Sequence, residues 1–211
     1  MVKKFLKFAY GLEDSNATRD YYRDWSASYD DEITENGYAT PRRCAEALAR
    51  HAPDKNGKLL DIGCGTGLSG IAFREAGFRN IDGNDLSAEM LAIAKERGVY
   101  NHLVEIDLSK PDEDDNKHYN YIAAVGVIST GHAPPHTIND MFKKLPVDGL
   151  FVFSLNDPTL QDGSFHIVVE ALVASGKATL LEETYGTHLP KIGMKSTVYV
   201  LQKNASQKKA S

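Results

Sequence analysis

The chain has 211 residues, 42% of them hydrophobic and 25% charged, which is the composition of one globular domain rather than of a disordered chain. Its formal net charge of −5 argues against nucleic acid as a partner, because phosphate binding needs a basic surface. No apolar run reaches the roughly 18 residues of a membrane span, and the N-terminus lacks the apolar core of a signal peptide. With only two cysteines, Cys44 and Cys64, we expect a cytoplasmic protein without membrane partners and leave its oligomeric state open.

The N-terminal part of the sequence predicts a helical cap on a larger core. We expect residues 1–16 to be a flexible segment, residues 17–203 to be a single domain and residues 204–211 to be a disordered tail. Within the domain, residues 17–52 form the cap and residues 58–203 the core. Thr18–Ile33 is predicted to be helical, with Trp25 and Tyr29 on one face. This aromatic face either packs against the core or covers a ligand site, and both alternatives stay open.

The second helix of the cap is expected from Pro41 to His51, because proline is tolerated in a first helical turn. From residue 58 onward, apolar strand patterns alternate with helical patterns, and this alternation predicts an α/β fold with a doubly wound, mostly parallel, seven-stranded sheet. A loop over residues 186–193 joins the last two strands as a closing antiparallel hairpin. The predicted strands are Leu59–Ile62, Asn80–Asp85, His102–Ile106, Tyr119–Ile128, Leu150–Leu155, Thr179–Tyr185 and Ser196–Gln202, and the helices are Leu68–Ala76, Ala88–Arg97, Pro134–Leu145 and Phe165–Ser175.

The segment from Leu59 to Gly67 is the most informative part of the sequence. A short apolar strand ends in Asp61 and runs into three glycines that alternate with other residues, a pattern typical of a loop that lies close to a ligand. Gly-x-Gly-x-x-Gly, ending at Gly70 and followed by Asp85, also fits the dinucleotide fingerprint. However, the Asp61 carboxylate would repel a pyrophosphate and attract an ammonium or sulfonium group. The residues therefore favour a ligand with an ammonium or sulfonium group over a dinucleotide such as NAD.

This apolar-apolar-Asp-apolar-Gly-x-Gly-x-Gly pattern resembles motif I of the class I methyltransferases that depend on S-adenosylmethionine (SAM). The sheet of that family also closes with an antiparallel hairpin. The segments 21–42, 126–128 and 131–135 resemble in particular the methyltransferase-like proteins named for the Williams–Beuren syndrome chromosomal region, and their bacterial relatives. The resemblance implies a Rossmann-like fold, SAM as the cofactor, S-adenosylhomocysteine (SAH) as the product and methyl transfer to an acceptor by in-line displacement.

The resemblance also implies which residues hold the cofactor. Asp61 would serve the methionine ammonium, Asp85 the two ribose hydroxyls and Asp107 the adenine amino group, while the other residues would line the cofactor or, for the two aromatic residues, cover it. The full predicted cofactor set is Asp61, Gly63, Cys64, Gly65, Gly67, Asp85, Leu86, Met90, Asp107, Leu108, Val125, Gly126, Trp25 and Tyr29.

His132 lies in the loop after the fourth strand, where the acceptor is expected, and is the candidate general base; the alternative is a histidine that only orders the turn. No metal is expected, since Pro134 and Pro135 separate His132 from His136. Sequence motifs of amino-purine and cytosine methylation are absent, which favours a small-molecule acceptor. The alternatives are an NAD- or nucleotide-sugar-dependent Rossmann enzyme and a SAM-binding partner protein without turnover.

Overall fold

Two helices precede the sheet in the computed structural model, which describes residues 15–107, 119–130 and 133–205. Helix α1 spans Ser15–Glu35 and α2 spans Thr40–His51, with Pro41 in its first turn as predicted. Residues 1–14 of the predicted flexible segment lie outside the described residues. The last two residues of that segment, 15 and 16, belong to α1. The helical cap thus begins slightly earlier than the sequence suggested.

The core is a seven-stranded mixed sheet in the order β3-β2-β1-β4-β5-β7-β6. The first five strands are parallel, and β7 pairs antiparallel with both β5 and β6. The predicted fold class, including the closing hairpin, is therefore confirmed. The strands are β1 (Leu59–Ile62), β2 (Ile81–Asp85), β3 (Leu103–Glu105), β4 (Tyr121–Ala124), β5 (Leu150–Asn156), β6 (Ala178–Leu189) and β7 (Met194–Lys203), and the helices are α3 (Leu68–Glu75), α4 (Ala88–Glu96), α5 (His136–Lys144), α6 (Asp157–Asp162) and α7 (Ser164–Ala174).

Several elements differ from the prediction, and the clearest differences concern β4, α6 and β6. Strand β4 ends at Ala124, because Gly126 adopts a φ of +74° that an extended strand does not accommodate. Helix α6 was not predicted, although Asn156 caps it by accepting a hydrogen bond from the Thr159 N–H over 3.1 Å. Strand β6 continues to Leu189, so the first half of the loop predicted over residues 186–193 is strand.

The predicted disordered tail also begins too early. The Asn204 N–H donates to the Lys177 carbonyl over 2.8 Å, and its side chain bonds Gly176 and Thr179. Ordered chain therefore extends through Asn204, and residues 206–211 of that prediction lie outside the described part. The remaining described elements follow the predicted order.

Apolar clusters cover both faces of the sheet. One cluster packs α2 and α3 against the sheet, with Leu48 and Phe73 fully buried, and the other packs α5 and α7 with Phe142 and Phe165. A third, smaller cluster joins Trp25 and Ile33 of α1 to Leu189 of β6, which fixes α1 beside the hairpin. Among the described residues, no helix is long and apolar enough to span a membrane.

The strand register places the closing hairpin at the edge where ligands bind. Asn156, the last residue of the parallel strand β5, is opposite Ser196 of β7, and Ser196 is opposite Gly186 of β6. The end of β6 therefore extends past the carboxyl ends of the parallel strands. Open α/β sheets bind ligands at that edge, and here it joins the loop after β1, the loop after β4 and the last turn of the hairpin.

Candidate functional site

A cleft of about 280 Å³, open to solvent, lies at the carboxyl edge of the sheet. The cap contributes aromatic side chains to one wall, and the loop after β1 forms the opposite wall. The lining residues are Tyr29, Tyr38, Pro41, Gly63, Cys64, Gly65, Thr66, Leu68, Ser69 and Val125. Five of the predicted cofactor residues are therefore brought together around one cleft: Tyr29, Gly63, Cys64, Gly65 and Val125.

The glycine loop after β1 adopts a conformation that side chains would not permit. Gly63, Gly65 and Gly67 have φ values of +60°, +54° and +91°. At Gly63, a Cβ atom would lie 2.3 Å from a methyl group of Val127, so the space itself also requires glycine. At Gly65 nothing lies within 4 Å of the Cβ position, and the backbone there is open to close approach by a ligand.

Asp61 lies at the base of this loop and is completely buried. Its Oδ2 accepts hydrogen bonds from the Ser69 hydroxyl over 2.6 Å and the Tyr100 hydroxyl over 2.8 Å. Its Oδ1 is buried without a hydrogen-bond partner among the described residues. Burial raises the pKa of Asp61 to about 7, although both hydroxyl groups oppose the shift. The carboxyl group thus has one oxygen in place for a cationic partner.

Tyr100 was not singled out from the sequence, because it follows α4 and is far from motif I along the chain. Its hydroxyl accepts a hydrogen bond from the Gly70 N–H over 3.1 Å while donating to Asp61. A Cβ at Gly70 would lie 2.4 Å from that hydroxyl. Gly70, the third glycine of the apparent dinucleotide fingerprint, therefore makes room for Tyr100, and this contact explains the glycine without a dinucleotide.

Asp85, at the end of β2, also stabilises the glycine loop through hydrogen bonds. Its Oδ2 accepts from the Gly65 N–H over 2.8 Å, and its Oδ1 accepts from the Ser87 N–H over 3.0 Å. The neighbouring Asn84 accepts from the Gly63 N–H through its side chain over 3.2 Å. Burial raises the pKa of Asp85, and the backbone hydrogen bonds oppose this. The end of β2 and the glycine loop therefore form one hydrogen-bonded unit.

The residues predicted to contact adenine follow β2 and β3 in the structure. Ser87 caps α4 by accepting from the Met90 N–H over 3.2 Å, as predicted, and Met90 is buried whereas Leu86 is half-buried. Asp107 is half-buried at the last described position before residue 119. Leu108 and the predicted general base, His132, lie outside the described residues, so their assignments stay predictions.

Helix α1 is attached to the glycine loop through Asp30. The Thr66 hydroxyl donates to Asp30 Oδ1 over 2.6 Å, and Arg97, which follows α4, donates to Asp30 Oδ2 and to the Thr66 carbonyl. The adjacent Tyr29 lines the cleft, whereas Trp25 is 1% exposed within the third apolar cluster. On the aromatic face of α1, Tyr29 therefore borders the cleft whereas Trp25 packs in the apolar cluster.

A buried polar group on the hairpin side was missed from the sequence. His188 of β6 is 4% exposed, and its Nδ1 lies 2.7 Å from the Thr40 hydroxyl of α2. Its ring contacts the edge of Tyr38, which borders the cleft, and the Tyr38 hydroxyl lies 2.4 Å from the Cβ position of Gly126. Burial, together with Arg43, lowers the pKa of His188 to about 4. No sequence signal links two residues 148 positions apart.

Comparison with known proteins gives relatives of one kind. Methyltransferase-like protein 27 of Homo sapiens is 28% identical over 148 residues, which are 69% of this chain and 60% of that protein. The malonyl-[acyl-carrier protein] O-methyltransferase of Pectobacterium atrosepticum is 31% identical over 134 residues, or 62% and 49% of the two chains. The chain thus spans about half to three fifths of the length of these curated relatives.

Solved structures with low sequence identity share the fold. A magnesium protoporphyrin IX methyltransferase from Synechocystis with bound SAH has a TM-score of 0.69 at 15% identity, covering 90% of this chain and 100% of that one. The [4+2]-cyclase SpnF has a TM-score of 0.69 at 14% identity, covering 92% and 98%. Because one of these two is named a cyclase, the shared fold alone does not assign a reaction.

The family is shown by the sequence itself. The family model described as a methyltransferase domain matches residues 37–190, which extend from the cap to the end of β6 and include every glycine of the loop. This match confirms the family inferred from the Asp-x-Gly-x-Gly-x-Gly pattern. The chain belongs to the methyltransferase domain family.

Proposed function

We propose that the protein transfers the methyl group of SAM to a small-molecule acceptor and releases SAH. The observation that carries the proposal is the Asp61 carboxyl group, buried at the base of the glycine loop with one oxygen that has no partner among the described residues. A carboxylate in such a position needs a cation, and the ammonium group of SAM is one. The Asp61 carboxylate therefore fits the ammonium group of this cofactor.

The rest of the loop supports the same cofactor. The Asp85 carboxylate accepts from the backbone N–H groups of Gly65, Ser87 and Leu86, and because a carboxylate has about four acceptor sites it can also accept from a ribose hydroxyl. Asp107, together with Leu108, is proposed for the adenine edge, and Leu86 and Met90 for its face. When bound, SAM supplies a methyl group activated by positive sulfur. The protein aligns it with the acceptor and excludes water.

An NAD-dependent reaction is less consistent with the same residues. Asp61 and Asp85 would lie near the pyrophosphate, where two carboxylates are unfavourable. Gly70 also serves Tyr100 rather than a dinucleotide. Both observations argue against NAD binding at the Gly-x-Gly-x-x-Gly segment, so we prefer the methyltransferase alternative.

A carboxyl group on the acceptor is supported by the relatives. The malonyl-[acyl-carrier protein] O-methyltransferases are named for a carboxyl-bearing acyl group, and one is 31% identical to this chain. We keep His132 as the proposed general base for acceptors that must lose a proton. Two free, buried cysteines, Cys44 and Cys64, support a reducing cytoplasmic setting for the reaction.

Transfer of labelled methyl groups tests the proposal. The full chain would be incubated with tritium-labelled SAM and a cell extract separated into small molecules and macromolecules. We expect label in the small-molecule fraction with the wild type, and a loss with Asp85→Ala that Asp85→Asn partly recovers, because asparagine keeps one acceptor oxygen for the Gly65 N–H. Label only in protein or RNA would contradict a small acceptor. SAM binding without any transfer would indicate a partner protein without turnover.

A further inference from the structure

A chain of hydrogen bonds runs from the closing hairpin into α2. Arg43 Nη1 lies 2.9 Å from the Ser196 hydroxyl oxygen, which lies 3.2 Å from the Thr40 hydroxyl, which in turn lies 2.7 Å from His188 Nδ1. Both hydroxyl-bearing side chains are completely buried. Buried hydroxyl protons are normally used in hydrogen bonds, so the direction of each bond in this chain can be worked out.

The guanidinium group sets that direction, because it can only donate. Ser196 accepts from Arg43, and among the described residues the Thr40 oxygen is the one partner left for the Ser196 proton. The Thr40 proton is then directed at His188 Nδ1. The opposite order would leave the proton of the completely buried Ser196 hydroxyl without an acceptor in the described part of the chain. His188 Nδ1 is therefore an acceptor, and the neutral ring carries its proton on Nε2.

The Nε2–H group has no hydrogen-bond partner among the described residues, although His188 is almost completely buried. The Nε2 atom is not among the buried atoms that lack a partner in the described part of the chain, so this donor reaches the surface, where a ligand can accept from it. Its position is suitable, since the end of β6 extends past the carboxyl ends of the parallel strands. The ring is also 5.2 Å from Tyr38, which borders the cleft.

We propose that His188 binds the methyl acceptor by donating from Nε2–H to an oxyanion, and that the acceptor is a carboxylate rather than a group needing deprotonation. The inference rests on the proposed methyl transfer. In the step, a carboxylate oxygen lone pair forms the O–CH₃ bond while the S–CH₃ bond breaks and its electrons return to sulfur, so no proton is released. Thr40 acts through His188 as a positioning residue.

The charges around His188 agree with this assignment. Arg43 lies behind the hydroxyl groups and favours negative charge in front of the ring, and Asp157 is the opposing acidic group. Because the Nδ1 lone pair accepts from Thr40, the ring cannot accept a proton from the acceptor at Nε2 without first losing the one it carries. A donor role therefore follows from the structure and a general-base role does not.

Two isosteric variants separate these roles. Glutamine places an N–H donor near the position of Nε2, whereas asparagine reaches only the position of Nδ1. With tritium-labelled SAM and a panel of small carboxylates matched to their alcohols and amides, we expect H188Q to keep most of the carboxylate methylation. H188N should lose about 10- to 100-fold, the range for a hydrogen bond to a charged group. T40V should resemble H188N, and T40S should restore activity.

NMR of the ring nitrogens tests the tautomer without any acceptor. In the full chain saturated with SAH, His188 should show a protonated Nε2 and an unprotonated Nδ1, with the signal assigned by its loss in H188Q. A protonated Nδ1, or an imidazolium near neutral pH, would overturn the proposal. So would equal activity of H188N and the wild type, or methylation of the alcohols and amides but of no carboxylate.

Failure of the underlying function gives a different result. If the proposed methyl transfer is wrong, the wild type either fails to bind SAM and SAH in a calorimetric titration or binds them and transfers no label to any compound. If only this inference is wrong, binding and transfer persist in the wild type while the His188 and Thr40 variants do not follow the expected pattern. Thermal unfolding of each variant identifies those that lose activity through misfolding.

Discussion

The glycine-loop side and the hairpin side of the cleft are built in opposite ways. On the first side, Asp61, the glycines and Asp85 lie within 25 positions of one another and are held by backbone hydrogen bonds. On the second side, Thr40 and His188 are 148 positions apart and meet only through the fold. A cofactor that many proteins share can be served by a local motif, whereas the proposed acceptor site depends on tertiary packing.

The two sides are alike in their electrostatics. Burial raises the pKa of Asp61 to about 7 and lowers that of His188 to about 4, so both groups tend toward their neutral forms when no ligand is present. Each group also keeps one polar atom without a partner among the described residues. An ammonium group would donate to the free oxygen of Asp61, and an oxyanion would accept from the Nε2–H group of His188. The comparison can be tested from each side.

The largest effect is expected from Asp61→Asn. Loss of the charged partner of the ammonium should weaken SAM binding about 100-fold, at the upper end for a charge-assisted hydrogen bond. Because the pKa of Asp61 is raised from 3.8 to about 7 in the folded chain, the free energy of unfolding decreases as pH rises from about 4 to about 7 and stays lowered above pH 7. The same variant should therefore raise Tm by about 4–8 °C near pH 8, the shift for roughly 2 kcal/mol in a chain of this size, and by less near pH 5. Lower Tm at both pH values would contradict this electrostatic account.

Gly63→Ala tests whether the loop conformation matters as much as its charge. The new methyl group would lie 2.3 Å from Val127 at a φ of +60°, and we expect a loss of about 2–3 kcal/mol in the free energy of unfolding and of most SAM affinity. Gly163→Ala is the matched control, since its φ is +72° but nothing lies near its Cβ position. Chemical denaturation of both variants separates crowding from backbone strain. Equal losses in the two would show that crowding at Gly63 is unimportant.

Asp30→Ala tests the attachment of α1 to the glycine loop. Without its bonds to Thr66 and Arg97, α1 should open more often, which would speed SAM dissociation about 3- to 10-fold, as expected for ~1 kcal/mol of partly exposed hydrogen bonds. The neighbouring Asp31 is exposed, and Asp31→Ala serves as the control. Stopped-flow displacement by SAH measures the rate. Identical rates in the two variants would assign α1 a packing role alone.

The smallest effect is expected from Tyr100→Phe. Removing the hydroxyl leaves Asp61 with one hydrogen-bond donor fewer, which raises the pKa of Asp61 further. It also leaves the Gly70 N–H without its acceptor, and we expect the free energy of unfolding to decrease by about 1 kcal/mol. SAM affinity falls as pH drops through the pKa of Asp61, because the protonated group no longer attracts an ammonium. The pH at which affinity falls should therefore be higher in this variant. Calorimetric titration across pH measures the shift, and an unchanged midpoint would remove Tyr100 from the network.

Sequence patterns predicted the fold and one side of the site for physical reasons. Apolar periodicity and the local glycine pattern are properties of adjacent residues, so the strands, the closing hairpin and the Asp61 loop could be predicted. Tyr100 and His188 could not, because a lone tyrosine or histidine acquires its role only from neighbours brought by the fold. Similarly, β4 was predicted too long because its apolar run continues past the glycine that ends the strand.

The most direct test of the central claim is a calorimetric titration of the full chain with SAM, SAH and NAD, near pH 8 where Asp61 is ionised, beside the Asp61→Asn variant. We predict micromolar binding of SAM and SAH, at least tenfold weaker in the variant, and no binding of NAD. Binding of NAD instead, or equal SAM affinity in the two proteins, would contradict the assignment of the glycine loop and of Asp61.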